Sequence, residues 1–153
     1  MSINRMAAAA FWLLTIASLI AGPNAITPAF AADPLGTWYT KDNESQVRIA
    51  NCGDGLCGTL VWLKEPNDPK TGKPKTDTKN FDASKRNRPL VGVQIVLGLK
   101  PSGTPDQWKG EVYNPEDGNT YTGYFTVTGP DTADLKGCAM AVICKTQTWT
   151  RVK

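Results

Sequence analysis

Residues 107–128 read QWKGEVYNPEDGNTYTGYFTVT, which is two alternating runs joined by a short turn. In the first run Trp108 and Val112 alternate with Lys109 and Glu111, and the second run continues the pattern. Alternation of apolar and polar residues with a period of two is typical of a strand with one buried face. The intervening PEDG contains residues that favour tight turns. The segment therefore predicts an antiparallel hairpin.

The same pattern recurs along most of the chain and predicts eight strands. The links between them are mostly short and rich in Gly, Pro, Asp and Asn, and no convincing amphipathic helix interrupts them. These features favour an all-β fold, an eight-stranded antiparallel up-and-down barrel, which has no free sheet edges. A two-sheet sandwich is the alternative. The predicted strands are residues 36–41, 45–51, 58–64, 91–100, 107–114, 119–128, 132–138 and 144–152.

The first 31 residues have the layout of a secretory signal peptide. Arg5 supplies the positive charge, residues 6–22 are uncharged and mostly apolar, and Ala29-Phe30-Ala31 resembles a cleavage site. The apolar run is short for a transmembrane anchor. We expect cleavage after Ala31, leaving one domain, residues 32–153, in the periplasm or outside the cell, with no membrane span.

Four cysteines lie in the part predicted to be exported: Cys52, Cys57, Cys138 and Cys144. An even number of cysteines in an oxidising compartment favours disulfide bonds. Three pairings are open, and we favour Cys52–Cys57 and Cys138–Cys144 because each pair brackets a predicted hairpin end. A four-cysteine zinc site is disfavoured by the wide spacings, so no metal site is predicted.

Composition narrows the class of function. The chain of 153 residues contains no histidine, which excludes a Ser–His or Cys–His catalytic pair. No nucleophile motif is evident, so we predict no catalytic residues, no enzyme activity and no cofactor. The formal charge of +3 is too small to indicate nucleic-acid binding. The remaining candidates for a binding partner are an unknown small-molecule ligand and another protein.

Two terminal motifs resemble those of lipocalins. GTWYT at 36–40 is similar to the G-x-W that opens their first strand, and TWTR at 148–151 is similar to their closing strand. The resemblance implies that Arg151 covers Trp38. Such a cation–π contact stabilises a fold by about 0.5–2 kcal/mol.

The chain beyond residue 35 also resembles a bacterial family known as domain of unknown function 2147. This resemblance implies a lipocalin-like barrel and a small-molecule binding role, without an established activity. The segments that carry it are GTWYT (36–40), CGDGLCGTLVWL (52–63), RPLVG (88–92), WKGEVYNPEDGNTY (108–121) and KTQTWTRV (145–152).

One long loop, residues 65–89, stands out among the short links. It contains four prolines, seven basic and four acidic residues. Long loops of this kind are often lids or binding loops. We expect the loop to cover the barrel mouth and give it a positive rim, which would suit a ligand with an anionic group. A floppy insertion or a segment that plugs one end of the barrel is the alternative.

Candidate ligand contacts follow from this loop and from the barrel wall. Four polar loop residues correspond in order to polar positions in the family that the chain resembles, and Phe81 could dock into the mouth. Trp108 and Tyr121 are expected to point inward from paired strands. The predicted ligand-binding residues are Asp77, Asn80, Phe81, Arg86, Arg88, Trp108 and Tyr121.

The sequence thus predicts an exported, non-enzymatic, lipocalin-like binding protein for a small, partly apolar ligand. The alternative is a secreted or envelope module for protein–protein interaction or inhibition, with a barrel filled by its own side chains. An open interior would favour the first and a filled interior the second.

Overall fold

A computed structural model describes residues 32–153, so the predicted signal peptide, residues 1–31, lies outside the described residues. Eight strands form a closed barrel in which each strand pairs with the next in sequence. Short 3₁₀ turns lie at Lys41–Asn43 and Ala83–Lys85. The strands are β1 (Gly36–Tyr39), β2 (Ser45–Cys52), β3 (Gly55–Leu63), β4 (Gln94–Pro101), β5 (Gln107–Asn114), β6 (Asn119–Gly129), β7 (Thr132–Ala139) and β8 (Ile143–Arg151).

The predicted up-and-down barrel is confirmed, and the sandwich is not observed. Strand β1 pairs antiparallel with both β2 and β8, which closes the sheet on itself. The largest boundary differences lie at the starts of β3 and β4. Strand β3 begins earlier than predicted because Gly55 already pairs with Cys52. Strand β4 begins later, beyond Gly92, whose φ of 101° interrupts an extended backbone.

Aromatic side chains fill one end of the barrel. Phe125 packs edge-on against Trp38 and Trp149, with ring centroids 5.6 and 5.8 Å apart. All three are almost completely buried. Edge-to-face contacts of this kind are favourable beyond the area they bury. This end is therefore a packed core.

Arg151 closes the packed end, as the resemblance to lipocalins implied. Its guanidinium carbon lies 4.2 Å from the centre of the Trp38 ring, which confirms the predicted cation–π contact. The same guanidinium donates hydrogen bonds to the carbonyl oxygens of Asp33, Leu35 and Pro130. One side chain thus ties the segment before β1 to the link before β7.

Both predicted disulfides are present. Cys52–Cys57 spans the β2–β3 turn, and Cys138–Cys144 joins directly paired residues of β7 and β8. Two disulfides are consistent with an oxidising compartment. Among residues 32–153, no helix is both long enough and apolar enough to cross a membrane.

Candidate functional site

The end of the barrel opposite Arg151 is open and leads into a cavity of about 980 Å³. Its deep surface is apolar, because inward side chains of several strands converge there above the aromatic core. Trp149 belongs to both regions, since it lines the cavity and packs against Phe125. The buried apolar residues of this floor are Leu60, Ile95, Val112, Leu135 and Trp149.

Strand β8 forms one wall of the cavity, from the apolar floor to the mouth. Alternate residues of a strand share one face, so Trp149, Gln147, Lys145 and Ile143 all line the cavity in that order. The indole Nε1 of Trp149 donates to Oε1 of Gln147 at 3.4 Å. Opposite Lys145 in the register lies Gly137, which projects no side chain into the space. This wall therefore carries two polar side chains, Gln147 and Lys145, between the apolar Trp149 and Ile143.

The mouth carries both signs of charge, so the predicted positive rim is wrong. Only Glu65 and Lys75 of the charged residues in the loop 65–89 line the cavity, and they form an ion pair at 3.7 Å. The loop borders the mouth without covering it, and most of its basic residues lie elsewhere. The charged lining residues on loops and turns are Lys41, Asp42, Glu44, Lys64, Glu65, Lys75, Glu116 and Asp117.

A buried carboxylate holds the long loop against the barrel. Asp77 is completely buried and accepts hydrogen bonds from the Tyr113 hydroxyl at 2.6 Å and from Asn80 Nδ2 at 2.8 Å. Arg88 donates through Nε and Nη2, at 3.0 and 2.8 Å. We call Asp77, Asn80, Arg88 and Tyr113 the loop anchor.

The electrostatics of the loop anchor favour an ionised Asp77. Burial acts to raise the pKa of this carboxyl, but hydrogen bonds from Tyr113, Asn80 and Arg88 outweigh it and lower the pKa below 3.8. Burial, followed by the hydrogen bond to Asp77, raises the pKa of Tyr113. The anchor is therefore an ionised carboxylate that receives donors from two parts of the chain.

The four predicted polar contacts belong to this anchor or support it, and none of them lines the cavity. Asp77, Asn80 and Arg88 are brought together, while Arg86 donates from Nε to the Asn80 carbonyl at 2.8 Å. Ligand contact by these residues stays a prediction. Their observed arrangement fixes the loop backbone.

Tyr113 was missed by the sequence analysis. It adjoins Val112, which faces the cavity, so the alternation of β5 predicts an outward side chain at 113. An outward tyrosine at the mouth end of a strand is a weak signal that something covers it. Among residues 32–153, all buried side-chain polar atoms have a hydrogen-bond partner. For the Tyr113 hydroxyl, the covering loop supplies these partners.

Phe81 does not enter the barrel mouth, so that prediction is wrong. Its side chain is 94% exposed. The reason is local, because the preceding Asn80 points into the loop anchor and also accepts a hydrogen bond from the backbone N–H of Asp82. This turn directs Phe81 away from the barrel.

Trp108 and Tyr121 lie at different levels of the barrel. Tyr121 pairs with Val112 and lines the cavity, whereas Trp108 pairs with Phe125 and packs against the closed core. The structure thus places Tyr121 but not Trp108 in the cavity lining, and ligand contact by Tyr121 stays a prediction. Tyr121 donates to Oδ2 of Asp117 at 2.6 Å, and this hydrogen bond raises the pKa of Tyr121.

A closed eight-stranded barrel with one packed end and one open cavity is the arrangement of the lipocalin class. Protein HP1028 from Helicobacter pylori, which is described as belonging to the lipocalin family, has a similar solved structure. It has a TM-score of 0.66 and 22% identity, and the match covers 80% of this chain and 85% of that one. At this identity the similarity concerns the fold alone.

The family identified from the sequence is a narrower group than the lipocalin class. Residues 36–151 match the family described as "Uncharacterized protein conserved in bacteria (DUF2147)", and the chain belongs to this family. The resemblance derived from the motifs is thereby confirmed. No curated protein matches the chain.

Proposed function

We propose that the protein is an exported, non-enzymatic binding protein for a small, partly apolar ligand. The observation that carries the proposal is the open cavity of about 980 Å³. Ligand sites in proteins are concave, mostly apolar and about 300–1,000 Å³ in volume, with a few polar groups that orient the ligand. The floor around Trp149 and the polar positions Gln147 and Lys145 fit this description.

The space inside the barrel also bears on the alternative function, a protein–protein interaction module whose barrel is filled by its own side chains. A filled barrel needs large inward side chains at every level. Near the mouth, the inward positions of β7 are Gly137 and Ala139, which leave space. An open interior favours the ligand-binding hypothesis.

Export and the lack of catalysis rest on separate observations. The two disulfides fit an oxidising compartment, and the first 31 residues have signal-peptide layout. The absence of histidine removes the commonest general base. Both features support a passive carrier or sensor of a small molecule.

The proposal is tested with N-phenyl-1-naphthylamine, a neutral apolar dye whose fluorescence rises in apolar surroundings. We expect saturable binding to the wild-type protein. The matched variant is Gly137→Phe, which places a ring in the cavity. A Cβ at Gly137 has the Tyr121 Cβ as its nearest neighbour at 3.7 Å, an ordinary contact, so the variant should fold.

The control is Thr146→Phe, which adds the same ring at an exposed position on the outer wall of β8. We expect Gly137→Phe to abolish dye binding and Thr146→Phe to retain it. Equal binding by both variants would place the dye outside the cavity. Absence of binding to the wild type, together with native mass spectra free of any co-purified small molecule, would refute the proposal.

A further inference from the structure

We propose that the open end of the barrel binds peripherally to an anionic phospholipid bilayer. In this arrangement Phe81 and the β7–β8 turn enter the interfacial layer, and cations of the long loop contact the lipid head groups. Peripheral binding of this kind combines burial of apolar side chains with electrostatic attraction to anionic lipids. It uses the outer surface of the mouth and goes beyond the proposed binding of a ligand inside the barrel.

The β7–β8 turn projects bare apolar side chains from the open end. Met140 and Val142 are 82% and 79% exposed. Ala139 and Ile143, on either side of them, line the cavity, so the turn lies at its mouth. Met140 has a φ of 48° at a position where hairpin turns ordinarily carry Gly or Asn. Adjoining apolar side chains that are left uncovered in this way mark an interaction site.

The long loop holds Phe81 at the same end. Two residues before it, the carbonyl oxygen of Lys79 packs against Gly118 in the β5–β6 turn, which borders the mouth. The loop anchor fixes the backbone on the other side of this contact, because the buried Asn80 donates to the Tyr113 hydroxyl at 3.1 Å. A fixed backbone thus presents an exposed ring, and little conformational freedom remains to be lost on binding.

The charges of the loop complement an anionic surface. All four of its carboxylates accept an ion pair or backbone hydrogen bonds from residues of the same loop. Four exposed cations have no carboxylate within 4.0 Å in the described part of the chain. They are Lys70, Lys73, Lys79 and Arg86. These groups are therefore available to lipid phosphates, and two of them flank Phe81.

The rest of the rim does not reverse this balance. Outside residues 65–89, the charged residues that line the mouth are three lysines and four carboxylates: Lys41, Lys64, Lys145, Asp42, Glu44, Glu116 and Asp117. The loop itself has seven basic and four acidic residues. The positive charge of the open end therefore comes from the loop that carries Phe81.

A bilayer fits this surface better than a folded partner does. The apolar projections lie on two separate segments, and the β5–β6 turn with Glu116 and Asp117 lies between them in the order of the strands. A rigid protein would have to match apolar and acidic groups at fixed positions. A fluid bilayer accepts separate apolar projections, while the charged groups between them stay in the hydrated head-group layer.

The experiment measures co-sedimentation of the purified protein with vesicles of phosphatidylcholine alone, or of phosphatidylcholine and phosphatidylglycerol in equal parts. We expect binding to the anionic vesicles only, and weaker binding as the salt concentration rises. The charge variant is Lys73→Gln with Lys79→Gln. The matched control is Lys109→Gln with Lys136→Gln, which removes the same charge from exposed positions on the outer wall.

The loop variant should bind anionic vesicles about 30-fold more weakly than wild type, since each lysine near the membrane surface contributes separately. The wall variant should bind much as the wild type does. Equal weakening of both variants would mean that net charge alone attracts the protein, and would overturn the proposal. Failure of the wild type to bind anionic vesicles at low salt would overturn it as well, and would leave the proposed ligand binding standing.

Insertion of Phe81 is tested separately. Phe81→Ser should weaken binding about tenfold through the loss of buried apolar surface, and Phe81→Trp should retain it. Because the ring is 94% exposed, the urea midpoint of Phe81→Ser should equal that of wild type, which separates lost binding from lost folding. Binding by Phe81→Ser as tight as that of wild type would show adsorption without insertion, and would also overturn the proposal.

Discussion

The hydroxyl of Tyr113 donates a 2.6 Å hydrogen bond to Oδ1 of Asp77, a residue 36 positions earlier in the chain. Both side chains are buried, Asp77 completely. This contact joins the long loop to β5, and Arg88 and Asn80 complete the donor set around the same carboxylate. The loop is thereby fixed beside the cavity mouth, where its residues Glu65 and Lys75 line the cavity.

Replacing Tyr113 with Phe should loosen the loop without opening the barrel core. The variant removes one donor from an ionised buried carboxylate, which should lower the free energy of unfolding by about 2 kcal/mol. Urea denaturation measures this change, and trypsin cleavage after Lys79 or Lys85 reports the release of the loop. The control is Tyr124→Phe, a ring on the outer wall between Lys109 and Lys136. Equal protease resistance of Tyr113→Phe and wild type would show that the anchor does not restrain the loop.

Asp77 should make stability depend on pH in the acid range. Its pKa is lower in the folded protein than the ordinary value of 3.8, so folding favours the ionised form. The stabilisation is fully present above the unfolded-state pKa and is lost as the pH falls through the folded-state pKa. At neutral pH, Asp77→Asn should cost about 3 kcal/mol, because Arg88 loses its buried partner.

The stability gap between wild type and Asp77→Asn should therefore shrink as the pH is lowered from about 5 towards about 2. Unfolding free energies measured by denaturant titration at several pH values test this expectation. A gap of constant size across the range would mean that folding does not lower the pKa of Asp77.

Gly118 provides an independent test of how the loop packs. A Cβ at this position would clash with the carbonyl oxygen of Lys79, and its φ is +78°. Gly118→Ala should therefore both strain the turn and push the loop away. We expect a loss of about 3 kcal/mol in unfolding free energy.

The matched control for this variant is Gly72→Ala. Gly72 also has a positive φ, +67°, but a Cβ added there would have no other atom within 4 Å. It reports backbone strain alone, expected to be about 1 kcal/mol. If both variants lost the same stability, the contact between Lys79 and the β5–β6 turn would have no energetic importance.

Arg151 should stabilise the closed end more through the planar geometry of its guanidinium group, which places several hydrogen-bond donors, than through its charge. Arg151→Met removes the contact with the Trp38 ring and three hydrogen bonds to carbonyl oxygens, which should cost about 2–3 kcal/mol. Arg151→Lys keeps the charge but not the geometry, and should recover less than half of this loss. Thermal unfolding followed by circular dichroism measures both.

Arg48→Met serves as the control, because Arg48 is exposed on β2. It should leave the midpoint of unfolding nearly unchanged. Full recovery of stability by Arg151→Lys would show that charge alone is sufficient at this position.

Much of the barrel followed from local patterns. The alternation around Val112 and Phe125 predicted which faces are buried, and the β5–β6 hairpin was predicted with the bounds of β5 intact. Short turns predicted that sequential strands would pair, and the cysteines flanking two of those turns predicted both disulfides. These inferences succeed because strand alternation and turn formation depend on residues that are close in sequence.

The site was less predictable, because its residues are assembled from distant segments. Asp77, Asn80 and Arg88 were predicted as ligand contacts, whereas the structure shows them in one anchor with Tyr113, which lies on a strand far along the chain. Trp108 was placed in the wrong region because its level in the barrel depends on the register with β6, which places it beside Phe125.

Lys145 shows the same contrast between what local sequence patterns predict and what the tertiary structure decides. The alternation of β8 was visible in the sequence, but a lysine in an alternating strand is ordinarily assigned to the outer face. Its inward direction follows from Trp149, whose burial in the closed core fixes the face of every second residue. Local chemistry thus specified strands, turns and disulfides, whereas closure of the barrel and long-range hydrogen bonds decided which polar groups anchor the loop and which face the cavity.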